Sequence, residues 1–348
     1  LTAFSHILGQ QRAVSLLAHA CGRGRLPHGL LFAGPAGVGK ATTAAALAKL
    51  LLCQAPTGNT PCNECESCRL VDRSTQSASA HPDFHLITKE LIRYHDKTGK
   101  SKGIDLSIQV IRHELIDPAG RKAVLGRAKV FVVHEADLMT AEAQNALLKT
   151  LEEPAGTTAI ILLTDLPQAL LPTVRSRCQL VTFVPLPTEL IERELIARNV
   201  DKKEARAAAA IAEGSLGQAL QFAADGIVQK AQELFSIIDT GQSIHDWLKS
   251  TAADYAATGL QRDELASKDQ LTRQGLALFI RLATNHLRHR LRELSNKGRQ
   301  SEDAVESTCQ SIDSLFRAEQ LIDANVNIPL ALQNLSIDLS QSGQLATP

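Results

Sequence analysis

The sequence predicts a three-layer α/β domain built on a parallel sheet, followed by a remainder that is helical. Three observations carry that expectation. Short apolar runs bounded by polar residues recur over residues 1–186 and alternate with helically spaced stretches, the pattern of strands buried on both faces and joined by helical crossovers. The first run, Leu30-Leu31-Phe32, leads into Gly34-Pro35-Ala36-Gly37-Val38-Gly39-Lys40-Ala41-Thr42 and then an alanine- and leucine-rich stretch. That is the strand, glycine loop and helix of a phosphate-binding loop. After Pro185 and Pro187 strand signals almost vanish.

The elements follow in order. Leu8 to Cys21 places Val14, Leu17, Ala18 and Cys21 on one helical face, and Gly22, Gly24 and Pro27 end it before the first strand. The glycine loop opens a helix to about Cys53, after which a polar stretch carries a cysteine cluster. Asp83 to Ile87 is a short strand, and the basic stretch Lys97–Gly103 reads as a mobile loop facing water. Leu106 to Ile116 has helical spacing again. Lys129-Val130-Phe131-Val132-Val133 is a strand buried on both faces. Thr140 caps a helix with Ala143, Ala146, Leu147 and Leu151 on one face, and Pro154 follows its end. Ala159–Leu163 is another buried strand and Leu180–Val184 a fifth. Beyond them Glu189–Arg198, Lys202–Ala212 and Ser215–Ala223 are short helices around a break at Gly214. Longer amphipathic helices follow near Asp246–Ala256, Asp269–Leu294, Glu302–Leu321 and Ile328–Leu339. These changes of character divide the chain at 1–186, 187–226 and 227–348.

A chain of 348 residues is too long for one ordinary core. Lys plus Arg equals Asp plus Glu, 37 each, and aromatics are only 3 %, which argues against a strong unaided grip on nucleic acid and against a base-stacking platform. No apolar run approaches the roughly 20 residues of a membrane span, and no secretory signal is visible, so a cytoplasmic protein without a membrane partner is expected. The sequence opens on Leu1 rather than Met, as a trimmed or processed start would.

In a phosphate loop the glycines let backbone N–H groups converge on phosphate oxygens, and Lys40 reaches the terminal phosphates. The residue after the lysine should carry a hydroxyl for Mg²⁺, and here it is Ala41. Thr42 comes one residue too late, about 100° round the helix. A second acidic element belongs at the end of a neighbouring strand, and Val130–Asp137 sits there. Its metal-holding position is His134, a poor ligand for a hard cation, while Glu135 stands where the water-polarising carboxylate would be, a vestigial general base. ATP or ADP is compatible with the Gly and Lys positions, Mg²⁺ is poorly held, and efficient hydrolysis in this site is not expected. Cys53, Cys62, Cys65 and Cys68, spaced C-x8-C-x2-C-x2-C, suit four-thiolate ligation of a structural Zn²⁺. Cys21, Cys178 and Cys309 read as packing residues, and His6, His28, His81, His85 and His95 as surface or packing histidines. The basic run Arg281, His286, Arg288, His289, Arg290 and Arg292 reads as a solvated or intersubunit helix face.

Gly34–Lys40, the Val130–Asp137 strand, Asn145-Ala146-Leu147-Leu148-Lys149-Thr150-Leu151-Glu152-Glu153-Pro154, Ser176-Arg177-Cys178 and the cysteine spacing together resemble the AAA+ clamp-loader family of bacterial DNA polymerase III. The likeness covers residues 1 to about 225. It implies an AAA+ P-loop domain, a small helical lid and an all-α collar. It also implies a place in a hetero-pentamer with the motor (gamma/tau) and delta subunits, which opens the ring-shaped sliding clamp and sets it on primed DNA. By the same resemblance Arg177 is an arginine finger offered in trans to ATP on a neighbour, Thr164 holds the first sensor position, and Gly217 stands where motors carry an arginine. Ala41, His134 and Gly217 depart from the motors' pattern, so the chain is most similar to the family's member that does not turn over ATP. Two other readings stay open: an ATP-hydrolysing motor, marked by Lys40-dependent turnover, and a zinc-bearing DNA-binding adaptor, marked by tight DNA binding of the isolated chain.

Overall fold

A computed structural model describes residues 2–74, 78–95, 105–125, 127–240, 242–262, 267–295, 302–324 and 326–341; the loop expected at 97–103 lies outside them. The chain divides into two compact units, Leu1–Gln221 and Phe222–Pro348.

In the first unit β1 (Gly29–Ala33), β2 (Phe84–Ile87), β3 (Lys129–Val133), β4 (Thr158–Thr164) and β5 (Gln179–Thr182) form one sheet in the order β2-β3-β4-β1-β5. Every pairing is parallel. The helices in chain order are α1 (Gln11–Gly22), α2 (Lys40–Leu52), α3 (Glu66–Arg73), α4 (Ile92–His95), α5 (Ile108–Ile111), α6 (Asp117–Ala119), α7 (Ala141–Glu152), α8 (Pro172–Arg175), α9 (Thr188–Ala197), α10 (Lys202–Ile211) and α11 (Leu216–Ala224). Successive strand side chains point to opposite faces. Leu30, Phe32, Val130, Val132 and Ile161 therefore pack with Ala13, Leu17, Ala44 and Leu47 of α1 and α2, while Leu31, Phe131, Val133 and Ile160 pack with Val110, Ile111, Ala143 and Leu147 of α5 and α7. This is the expected three-layer α/β arrangement, and it is why the strand sequences are apolar without alternation.

Two local expectations are corrected. The fifth strand ends at Thr182 and is buried only at Val181, because it pairs with β1 alone and lies at the sheet edge. Residues 106–116 are not one regular helix: α5 runs into a π-helical turn, Arg112–Ile116, and then α6. Pro118 has no N–H for the bond to the fourth carbonyl before it, which accounts for the shifted register. Lys129, the first residue of the strand expected to be buried on both faces, is itself buried, 3 % exposed. Its ammonium donates to the carbonyls of Pro118, Ala119 and Arg121 around the end of α6; burial pushes its pKa down.

Thr140 caps α7 as expected, its side-chain oxygen accepting from the Ala143 N–H at 3.3 Å. Thr140→Ala should cost about 1 kcal/mol, read as a lower urea midpoint with an unchanged slope.

The second unit is all helix among its described residues: α12 (Ile227–Asp239), α13 (His245–Arg262), α14 (Lys268–Ser295), α15 (Glu302–Asp323) and α16 (Ile328–Gln341). The long α14 packs on α12, α13 and α15. Part of the basic run of α14 is engaged inside this unit rather than simply solvated. Arg281 pairs with Glu319 at 3.4 Å, and His286 and Arg290 reach Asp239 at 2.9 and 3.6 Å. The His286 ring also stacks on Phe235 with centroids 4.3 Å apart. Among the described residues no helix is long and apolar enough to cross a membrane.

Candidate functional site

The glycine loop turns between the end of β1 and α2. Gly37 and Gly39 adopt φ of +69° and +105°, the left-handed region where a side chain is strained. Lys40 does not stand free in this loop. It is 7 % exposed, and its ammonium donates to the carbonyls of Gly34 and Pro35 and to Asp165 Oδ1 at 2.6 Å. An ammonium has three N–H groups, and all three are used to staple the loop to itself and to the end of β4.

Ala41 and His134, the two positions that lack a Mg²⁺ ligand, meet in space. Both line one cavity of about 210 Å³ together with Thr42, Ser74 and Phe84. Burial pushes the His134 pKa down, so the imidazole is neutral where a carboxylate would be needed to hold a hard cation. Glu135 is turned away: its backbone is left-handed, φ +47°, and its carboxylate takes Lys89 at 3.0 Å. Thr164 is buried at the end of β4, where its hydroxyl donates to Asp137 Oδ1 at 2.6 Å and accepts from the Leu166 N–H. Asp165 and the Asp137–Thr164 bond were not foreseen as partners. Their only sequence signal is position, since both acids sit at the ends of buried strands, where open α/β sheets gather ligands.

Gly217 lies against the glycine loop. Its N–H donates to the Gly37 carbonyl at 2.9 Å, and a Cβ added at Gly217 would come within 2.9 Å of Gly37 Cα. The backbone contact therefore needs glycine here, and an arginine would force the two segments apart.

Arg177 follows α8 at the edge beside β5. Its Nε donates to Glu152 Oε1 at 2.6 Å, Nη1 donates to the Thr173 carbonyl at 2.9 Å, and Nη2 pairs with the same Glu152 oxygen. The Ser176 hydroxyl also donates to the Thr173 carbonyl. Cys178 anchors the turn, packing against one face of the core, and burial pushes its pKa up to about 11, so it is a thiol and not a nucleophile. A Cβ at Gly29 would lie 2.8 Å from the Arg177 carbonyl and 3.1 Å from Cys178 Sγ. Glycine at 29 thus seats the Ser-Arg-Cys turn on β1.

Cys53, Cys62, Cys65 and Cys68 converge, with all four sulfurs within 4.8 Å of one another. Cys53 ends α2 and Cys65 caps α3. The Cys62 N–H donates to Cys53 Sγ, Cys65 N–H to Cys62 Sγ and Cys68 N–H to Cys65 Sγ, at 3.2, 3.4 and 3.5 Å. A tetrahedral zinc with bonds of about 2.3 Å sets its sulfurs roughly 3.8 Å apart; the Cys53–Cys62 and Cys62–Cys68 separations are 3.5 and 4.0 Å. Backbone N–H bonds at Glu64 and Cys65 push the Cys62 thiol down to about 6, whereas burial raises Cys68. The donor set fits a closed four-sulfur metal site. Among the described residues no other group of three or more His, Cys, Asp and Glu is placed to hold a metal ion.

Comparison with known proteins adds a family. Residues 9–187 match the family described as DNA polymerase III, delta subunit. A DNA polymerase III subunit delta' of Bacillus subtilis is 34 % identical over 200 residues, 57 % of this chain and 54 % of that protein. The subunit delta' of Escherichia coli is 34 % identical over 238 residues, 68 % and 66 % of the two chains. The DNA polymerase III subunit tau of Salmonella typhimurium is 31 % identical over 263 residues, 76 % of this chain but 37 % of the relative. The match thus spans about half to two thirds of the delta' relatives' own length.

Proposed function

The chain belongs to the DNA polymerase III delta-subunit family, with subunits delta' among its relatives, and from that premise we propose that it is a stator of the clamp loader. It would sit in a hetero-pentamer beside the motor (gamma/tau) and delta subunits, in the cytoplasm, and help the complex open the sliding clamp and place it on primed DNA. The proposed organisation is an AAA+ domain at 1–186, a lid at 187–226 and a collar at 227–348.

One observation carries the inactive-site half of this reading: Ala41 and His134 face one cavity while Lys40 is engaged by Asp165 and its own loop. Position 41 supplies no hydroxyl and position 134 no carboxylate, the two groups that hold Mg²⁺ in a working site, and the lysine has no N–H left for a phosphate. Arg177 supplies the other half. Set across an interface, a guanidinium donates to the γ-phosphate of a neighbour's ATP and offsets the charge that develops as the phosphoryl group leaves. Cys53, Cys62, Cys65 and Cys68 would hold a structural Zn²⁺, which closes the segment after α2 and supplies no chemistry to hydrolysis.

ATP hydrolysis by the purified chain with Mg²⁺, beside its Lys40→Ala variant, tests the inactive site. The expected result is no turnover above the variant. Clear Lys40-dependent turnover would instead assign the chain to the motors, a reading that its likeness to subunit tau makes the natural competitor.

A further inference from the structure

We propose that Glu152 is a positioning residue for Arg177, holding the guanidinium so that its free N–H pair faces the neighbour's nucleotide. The inference rests on the reading of Arg177 as a finger in trans and adds to it a second residue from a different element. Glu152 is the last residue of α7 and lies 25 positions before the arginine.

The hydrogen-bond inventory of the guanidinium carries the argument. Arginine has five N–H groups in one plane. Nε–H and one N–H of Nη2 go to Glu152 Oε1, and one N–H of Nη1 goes to the Thr173 carbonyl. One N–H on each terminal nitrogen is left, with no partner among the described residues. Two N–H groups on adjacent nitrogens form the fork that grips two phosphate oxygens at once. The bonds at the other edges of the plane fix its rotation, so the fork does not have to be oriented when the nucleotide arrives.

The surroundings suit a presented group rather than a buried structural pair. Both side chains are partly exposed, Arg177 at 34 % and Glu152 at 47 %. A solvated ion pair of this kind contributes little to stability, which leaves the pairing without a folding role of much weight. The Thr173 carbonyl, by contrast, is rigidly placed at the start of α8, and Cys178 seats the turn against Gly29. The backbone is fixed on one side and the carboxylate fixes the side chain on the other.

The charge arrangement decides which way the carboxylate acts. Glu152 Oε1 takes the Nε–Nη2 edge of the guanidinium, and the fork for an incoming phosphate is the adjoining Nη1–Nη2 edge. It polarises the arginine without competing for the open fork.

The test uses the clamp loader reconstituted with this chain and measures kcat and KM for ATP hydrolysis at the adjacent motor site. Glu152→Ala is expected to lower kcat about 10- to 100-fold, the scale of a misplaced catalytic group, with KM nearly unchanged and assembly intact. Glu152→Gln keeps an oxygen that accepts the Nε–H and is expected to recover most of the rate, which a role in bulk charge or folding would not produce. In a double-mutant cycle, Glu152→Ala should add nothing to Arg177→Ala, because the carboxylate acts only through the arginine. An unchanged kcat in Glu152→Ala, alongside a large loss in Arg177→Ala, would overturn this inference alone. A raised kcat would also overturn it, by making the pair a restraint on the finger. No loss in Arg177→Ala would remove the finger reading on which it rests.

Discussion

Replacing Arg177 with alanine is expected to slow ATP hydrolysis at the neighbouring motor's site by about 10³–10⁵-fold, the span that arginine fingers supply. Single-turnover hydrolysis by the reconstituted complex would read this as loss of the phase belonging to that site, with the other sites and the assembly retained. The physical basis is that the guanidinium acts from a preorganised position. Its backbone turn is seated by Gly29 and Cys178, and its plane is set by Glu152 and the Thr173 carbonyl, so little reorganisation is needed as charge develops. Arg177→Lys should recover only a small part of the rate, because a single ammonium cannot make the two parallel bonds of the fork. Turnover unchanged in Arg177→Ala would reduce the arginine to a local partner of Glu152.

Much of the fold was legible because burial on both faces leaves a plain mark. Val130–Val133 and Ala159–Leu163 are apolar at each position, since one residue of each pair faces α1 and α2 and the next faces α5 and α7. The glycine loop was equally plain, as its backbone needs residues without a Cβ at Gly37 and Gly39. What the pattern did not reveal was position within the sheet. Leu180 suggests a core strand by composition, but β5 has a neighbour on one side only and exposes that leucine by 52 %. Lys129 shows the same limit. The strand pattern includes this charged residue without saying how its charge is met, and three carbonyls around a helix end receive its ammonium. Only the tertiary structure brings that helix end within reach.

The candidate site divides in the same way. The missing metal ligands could be read directly, because Ala41 and His134 are wrong in residue type whatever their geometry. Partnerships could not. Lys40 and Asp165 are 125 positions apart, and neither residue alone signals that the lysine will turn onto its own loop. Glu135 stands at its expected position in the chain, yet a left-handed backbone directs its carboxylate to Lys89. Residue type announces what chemistry is available, while the backbone conformation decides where it is delivered.

Zinc removal is the other change with a large expected effect. The purified chain should carry about one zinc per molecule, and Cys68→Ser should lose it together with several kcal/mol of stability, since structural zinc supplies folding free energy directly. The loss should be local before it is global. Between Cys53 and α3 most of the chain is exposed or half-buried, so without a metal α3 depends on contacts such as the Lys49–Asp72 pair and Val71 for its hold on α2 and the core beneath. Contacts of that kind are a weak hold against the entropy of releasing about twenty residues. Val71 and Ser74 also form part of the wall of the cavity that Ala41 and His134 share, so freeing α3 would open that cavity to water. Hydrogen exchange would then rise in residues 53–74 and at the start of α2, while β4 and α7 stay protected. Cys309→Ser, in the other unit and exposed, should keep the metal and the melting temperature. A chain that holds far less than one zinc and melts unchanged after chelation would mean that the four thiols pack without a metal.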